Sequence, residues 1–305
     1  MGATSSWDRR AAARRKPAGR VRVTALAAGL LLASVPPHAQ RGGTNGACPR
    51  DPVPFHRCAV ERATSFNPPR TADGHPNFEG IWRGQTSGVE NIEEHPGTAD
   101  VGVGPTLIVD PADGKVPYQP WALEERRTHV ERYIDPNVPC FLSGVPRMLY
   151  TPGDVQVVQA GGYLVLIHSR GHMYRVIPTA PPFDLSSGLR LWQGRSSGHW
   201  EGNTLVVDVT NQNGKTWLDQ AGNFHTAAVH ISERYTMVDT NTIDYEARIE
   251  DPKVYSRPWT MAFALRRVTE PGYEVWEEAC HEGERNTQDL LGLGFKIYQG
   301  PTAER

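Results

Sequence analysis

The chain has 305 residues, is 38% hydrophobic and 22% charged, and carries a formal net charge of −2. Its 30 glycines and 25 prolines, with no long helical pattern, point to a loop-rich β protein. Setting aside residues 1–39 removes seven positive charges and one negative (Asp8), and the net charge moves to −8. That argues against a nucleic-acid or anionic-membrane partner, since both need a basic face.

Residues 1–39 read as a signal peptide. Arg9, Arg10, Arg14, Arg15, Lys16, Arg20 and Arg22 precede a 13-residue apolar run, 23–35, too short to span a bilayer, and cleavage is expected after Ala39. The expectation is a periplasmic or secreted protein with no membrane association once the signal is removed. Residues 40–75 read as an extended arm and residues 76–305 as a single β domain. Four cysteines follow the signal: Cys48, Cys58, Cys140 and Cys280. In an exported chain an even number suggests disulfides, with three possible connectivities. Cys48 and Cys58 are close in sequence and natural partners, which leaves Cys140 with Cys280.

Residues 76–84 are expected to form a short first strand or turn. A helix follows at Pro120-Trp121, with proline in its first turn, and Asp135-Pro136 ends it. From 155 onward the hydrophobic pattern has period two. Strands are expected over 155–160, 163–168, 172–178, 189–192, 197–200, 204–209, 228–238, 242–250, 260–268 and 273–280, joined mostly by hairpins. Such a meander should close into a lipocalin-like antiparallel barrel, because closure removes its edges; a two-layer sandwich is the alternative.

Side-chain alternation selects the candidate site. Glu233 lies in the middle of an inward set (Val229, Ile231, Tyr235, Met237), and Arg175 lies between Met173 and Ile177. A buried carboxylate requires a partner, and Arg175 is the candidate. The pair could lock strand register or anchor a ligand at the floor of a cavity. His168 ends an apolar strand. In SGHWEGNT (197–204) a hairpin turn carries His199, Trp200 and Glu201. His199 and Glu201 share one side and could act as a base and its orienter, with Trp200 on the other side as a wall or a plug. His172, His225, His230 and His281 are further imidazoles, and three converging would make a metal site, although their spacing matches no metal motif. No Gly-x-Ser-x-Gly and no phosphate-binding glycine loop is present, and the sequence leaves any cofactor open.

Eight segments together resemble a family of exported proteins of soil and metagenomic bacteria such as acidobacteria: RTADGHPNFEGIW (70–82), DGKVPYQPWA (113–122), PCFLSGVPRM (139–148), GHWEGNTLVVDV (198–209), GKTWLDQAGNFH (214–225), ERYTMVD (233–239), IEDPKVYSRPWTM (249–261) and ACHEGERN (279–286). The resemblance implies export and supplies no catalytic residues. The chain departs from the family pattern at Glu284 and Arg285. Gly80-Ile-Trp82 is also similar to the Gly-x-Trp that opens lipocalin-like barrels. The leading expectation is therefore a secreted acid–base enzyme (lyase, isomerase or hydrolase) acting on a small molecule in a barrel cavity, with His199, Glu201, Glu233, Arg175 and His168 as its residues. The alternatives are a non-catalytic ligand-binding protein and a metal-dependent enzyme.

Overall fold

The computed structural model describes residues 47–84, 86–97, 103–180, 188–281 and 284–302, within a compact unit spanning Gly46–Arg305. The expected signal peptide lies outside the described residues. In chain order the elements are α1 (Pro52–Ala63), β1 (Gly80–Arg83), β2 (Ile108–Asp110), α2 (Pro120–Arg132), β3 (Tyr133–Ile134), β4 (Asp154–Ala160), β5 (Tyr163–His168), β6 (Tyr174–Pro178), β7 (Arg195–Glu201), β8 (Thr204–Thr210), β9 (His230–Asp239), β10 (Thr242–Glu250), β11 (Trp259–Arg267), α3 (Asn286–Gly292) and β12 (Lys296–Ile297).

Nine strands form one nearly closed antiparallel sheet in the order β6-β5-β4-β1-β11-β10-β9-β8-β7, and β2 adds to β11. The expected barrel forms, but it is not one simple meander. A three-strand run, β4–β6, and a five-strand run, β7–β11, are bridged by β1, which comes much earlier in the chain. At the far ends of the path, β6 and β7 approach without a backbone ladder. The approach is close: a Cβ on Gly198 of β7 would meet Ile177 Cγ2 at 3.0 Å and the Pro178 carbonyl at 3.2 Å, so a side chain here would have to displace its neighbours.

Alternation sets the two faces. Even-numbered residues of β5 point inward: Leu164, Leu166 and His168 are buried. Across the larger run the inward row is Gly198–Val207–Glu233–Ala247–Met261, and the neighbouring row, His199–Val206–Arg234–Glu246–Ala262, points outward. Trp82, Tyr150, Tyr245, Trp259 and Phe263 fill the core and are fully buried. Complete burial of one such side chain contributes on the order of 2–3 kcal/mol.

Three expectations need correction. Residues 52–63, expected within an extended arm, form the helix α1. Proline at its first turn suits helix entry, and Phe55 and Ala59 cover Val238 of β9 and Ala264 of β11. Residues 189–192 make only an isolated bridge at Leu191, and 273–280 form no strand. Their apolar residues lacked a neighbouring ladder, which alternation alone does not reveal. Both disulfides form as expected, Cys48–Cys58 fastening α1 and Cys140–Cys280 joining segments 140 residues apart.

Candidate functional site

The expected site residues fall into two groups on opposite faces of the sheet. Inside, Arg175 of β6 grips Glu233 of β9. Its Nη1 donates to Oε1 at 3.0 Å and its Nη2 donates to Oε2, while Nε donates to Ser196 Oγ of β7 at 2.8 Å. The Tyr235 and Tyr245 hydroxyls donate to Glu233 Oε1 at 2.9 and 2.8 Å. Burial pushes both phenols well above their ordinary pKa, and the adjacent Glu233 charge pushes the same way. Burial alone would lower Arg175, but Glu233 reverses this and the net shift is upward. The pair is charged, dry and satisfied on both sides, and it ties β6 to β9 across the seam that lacks a ladder.

His168 lies on the inner face of β5. Burial first, and then the Arg175 charge, hold its pKa down to about 3. An imidazole held there is neutral and a poor general base near neutral pH. Its Nε2 is buried without a hydrogen-bond partner among the described residues.

His199 and Glu201 stand on the outer face. Their side chains are 54% and 50% exposed, with Nε2 to Oε1 at 3.3 Å. Arg234 donates to Glu201 Oε2 at 3.0 Å, and the hydrogen bonds from Arg234 and then His199 lower the Glu201 pKa. Trp200 points the other way and stacks on His75 (centroids 4.8 Å apart) and against Phe78 (5.4 Å), closing the barrel end. The His–Glu pair therefore has no access to the interior group.

The other histidines are dispersed. His225 is buried with Nδ1 on the Thr226 carbonyl, His230 faces Asp208 at 3.2 Å outside the barrel, and His281 is exposed beside the Cys140–Cys280 disulfide; the side chain of His172 is outside the described residues. Among the described residues no group of three His, Cys, Asp or Glu side chains is arranged to hold a metal ion.

Sequence reasoning missed a lateral cleft of about 410 Å³ beside the barrel. Its lining includes Asp135, Asn137, Arg147, Arg170, Gln220 and Glu278, with the Cys140–Cys280 disulfide in the wall. Three of the quoted segments, 139–148, 214–225 and 279–286, supply Arg147, Gln220 and Cys280. Arg147 is 2% exposed. Its Nη1 and Nη2 donate to the two Asp135 oxygens at 2.8 and 2.6 Å, and its Nε has no partner among the described residues. Burial alone would lower the Arg147 pKa, but Asp135 outweighs it and the net shift is upward. The turn carrying Arg147 is held from behind, where Gln212 accepts from the Val145 N–H at 3.0 Å and donates to the Val145 carbonyl at 3.1 Å. Arg170 Nη1 faces Glu278 Oε1 at 3.4 Å, and Glu278 Oε2 is buried without a partner among the described residues. Cys140 has φ 59°, a left-handed conformation uncommon outside glycine. The signal available in sequence was Arg147 itself, a charged residue in the otherwise apolar stretch GVPRMLY.

Compared with family models, with curated proteins and with solved structures, the chain has no match in any of the three.

Proposed function

We propose that this is an exported barrel protein that binds a small polar molecule in the lateral cleft around Arg147, rather than in the barrel interior. The observation that carries this reading is the buried Arg147, held by Asp135 through both terminal nitrogens, in the wall of an open cleft that Arg170, Asn137 and Gln220 also line. Arg170, Asn137 and Gln220 supply further polar contacts, the mix expected where orientation matters. The uncommon backbone of Cys140 in the same wall fits a site that stores strain. Two disulfides agree with an oxidising compartment outside the cytoplasm, and no helix among the described residues is long and apolar enough to cross a membrane.

The test is a calorimetric or thermal-shift screen of small polar compounds, repeated on Arg170→Gln and Gln220→Ala, which alter the cleft wall without touching the Arg147–Asp135 pair. Ligand affinity should fall in both variants and stay unchanged in His199→Ala. Loss of binding in His199→Ala alone would return the site to the hairpin end. A catalytic reading is favoured by Glu278, whose unpartnered oxygen beside Arg170 could take a proton from a bound substrate. On that reading Glu278→Gln abolishes turnover and retains binding; equal loss of both leaves Glu278 a binding residue only.

A further inference from the structure

We propose that two copies of this chain associate through the outer face of β4, β5 and β6. Alternation gives an antiparallel strand one face for the core and one for solvent, and the solvent face is ordinarily polar. In this half of the barrel it is not. The ladders align Val158, Val165 and Val176 as a central outward row across the three strands, with Ile167 opposite Tyr174 on one side of it and Tyr163 on the other. The outward positions of 156–160, 163–167 and 174–178 hold no charged side chain, and Gln156 is the one amide among them.

The inward positions of the same strands are apolar as well, with Val157, Leu164, Leu166 and Ile177 buried. Strands that are apolar on both faces belong in a sheet covered on both sides. Yet Val158, Tyr163, Ile167, Tyr174 and Val176 are 37% to 69% exposed in the single chain. The other half of the barrel keeps the ordinary pattern, with Asp208, Arg234, Glu246 and Arg248 in its outward rows.

Area, charge and symmetry favour a second copy as the cover. The five exposed side chains present on the order of 400 Å² of apolar surface, a size at which a patch marks an interaction. Two such faces bury about 800 Å², and a polar rim brings the contact to about 1,000 Å², the lower bound of a specific interface. The dimer is therefore a reversible one. The chain beyond residue 39 has a formal net charge of −8, which repels an anionic lipid surface and opposes contact between charged faces of two copies. A face without charges escapes the local part of that repulsion, and charge depletion is a mark of interface cores. In a twofold contact a patch meets itself, and a neutral apolar patch matches itself without any pattern of opposite charges. Tyr163 and Tyr174 stand at opposite ends of the face, where their rings can pack while their hydroxyls stay in water.

The experiment is sedimentation equilibrium of the whole mature chain over about 1 to 100 µM, at low and high salt. The mass should double across this range. The association should tighten with salt, which screens the repulsion between copies. Val176→Glu should weaken it at least about tenfold, and Tyr174→Gln should weaken it less. Val60→Glu, the same charge change at an exposed position of α1, should behave as wild type. Melting temperatures taken at the lowest concentration should match wild type in all three variants, which separates lost association from lost folding; Tyr174→Gln keeps the test decisive if Val176→Glu does not fold. A monomer at every concentration, a dimer that weakens with salt, or equal weakening by Val60→Glu overturns the proposal. Co-sedimentation of a monomer with neutral phosphatidylcholine vesicles would assign the face to a lipid surface and overturn it likewise.

Discussion

Arg175–Glu233 and Arg147–Asp135 are both bidentate arginine–carboxylate pairs with an almost fully buried guanidinium. They differ in what surrounds the charges. Glu233 is closed in by two tyrosines, and the Nε of Arg175 is spent on Ser196. Arg147 leaves its Nε unspent, and its carboxylate partner is 12% exposed at the cleft. The first pair stitches β6 to β9 where the barrel has no ladder; the second presents a fixed charge to a space that a molecule can enter. A buried ion pair is thus no guide to function by itself. A position in the wall of an open cleft is the more telling feature.

The difference can be broken or sharpened experimentally. The largest effect is expected from replacing Cys140 and Cys280 by serine. That frees a 140-residue loop and should cost about 4–5 kcal/mol on the chain-entropy account, measured by urea unfolding. It should loosen the cleft pair and leave amide exchange at the β6–β7 seam slow in the folded state. Glu233→Gln or Arg175→Met should each cost about 3–5 kcal/mol by stranding a buried charge, and the double change should cost less than their sum. Simple additivity would show that the pair does not act as one unit. Asp135→Asn should cost less, about 1–3 kcal/mol, because Asp135 is partly exposed and the pair is less completely desolvated; a penalty equal to that of Glu233→Gln would mean that the two sites are equally closed.

A smaller, pH-dependent effect is expected at α1. His56 faces Asp244 at 2.9 Å and Glu246 at 3.5 Å. Burial alone would lower its pKa, but the two carboxylates raise it above 6.5 overall, and burial also raises that of Asp244 against the pull of His56. A histidine raised in the folded state adds stability that is fully present below its unfolded pKa and lost as pH rises through the folded value. The upward shift of Asp244 acts in the same direction, at lower pH. Unfolding free energy should therefore decline as pH rises above 6.5, and His56→Gln should flatten that slope. The smallest effect is expected from His199→Ala, which should leave the melting temperature unchanged, since an exposed pair beside Arg234 is well solvated.

Much of the barrel was legible in sequence because a strand with one buried face must alternate. That rule placed β4, β5, β8, β10 and β11 within a residue or so and put Glu233 inside, where only a cation could accompany it. The inward side of β5 was ambiguous because Val165 and Ile167 are as apolar as Leu164 and Leu166; the ladder to β4 decides it, since Leu166 lies opposite the buried Val157. The cleft was not legible at all. Asp135 read as a helix stop, and Arg147 and Arg170 lie in irregular turns where no periodicity assigns a face.

By itself the sequence determined the antiparallel class, the inward Arg175 and Glu233, the placing of His199 and Glu201 on one side of their strand, and the pairing of the four cysteines. All of these follow from period-two alternation, short-range turn geometry or simple elimination. Only the tertiary structure decided that β1 bridges the two strand runs, that 52–63 is a helix lying across β9 and β11, and that Asp135, Arg147, Arg170 and Glu278 share one cleft. These are contacts between segments tens to more than a hundred residues apart. They arise when the whole sheet closes and its loops are pressed together, and no local pattern encodes which loops will meet.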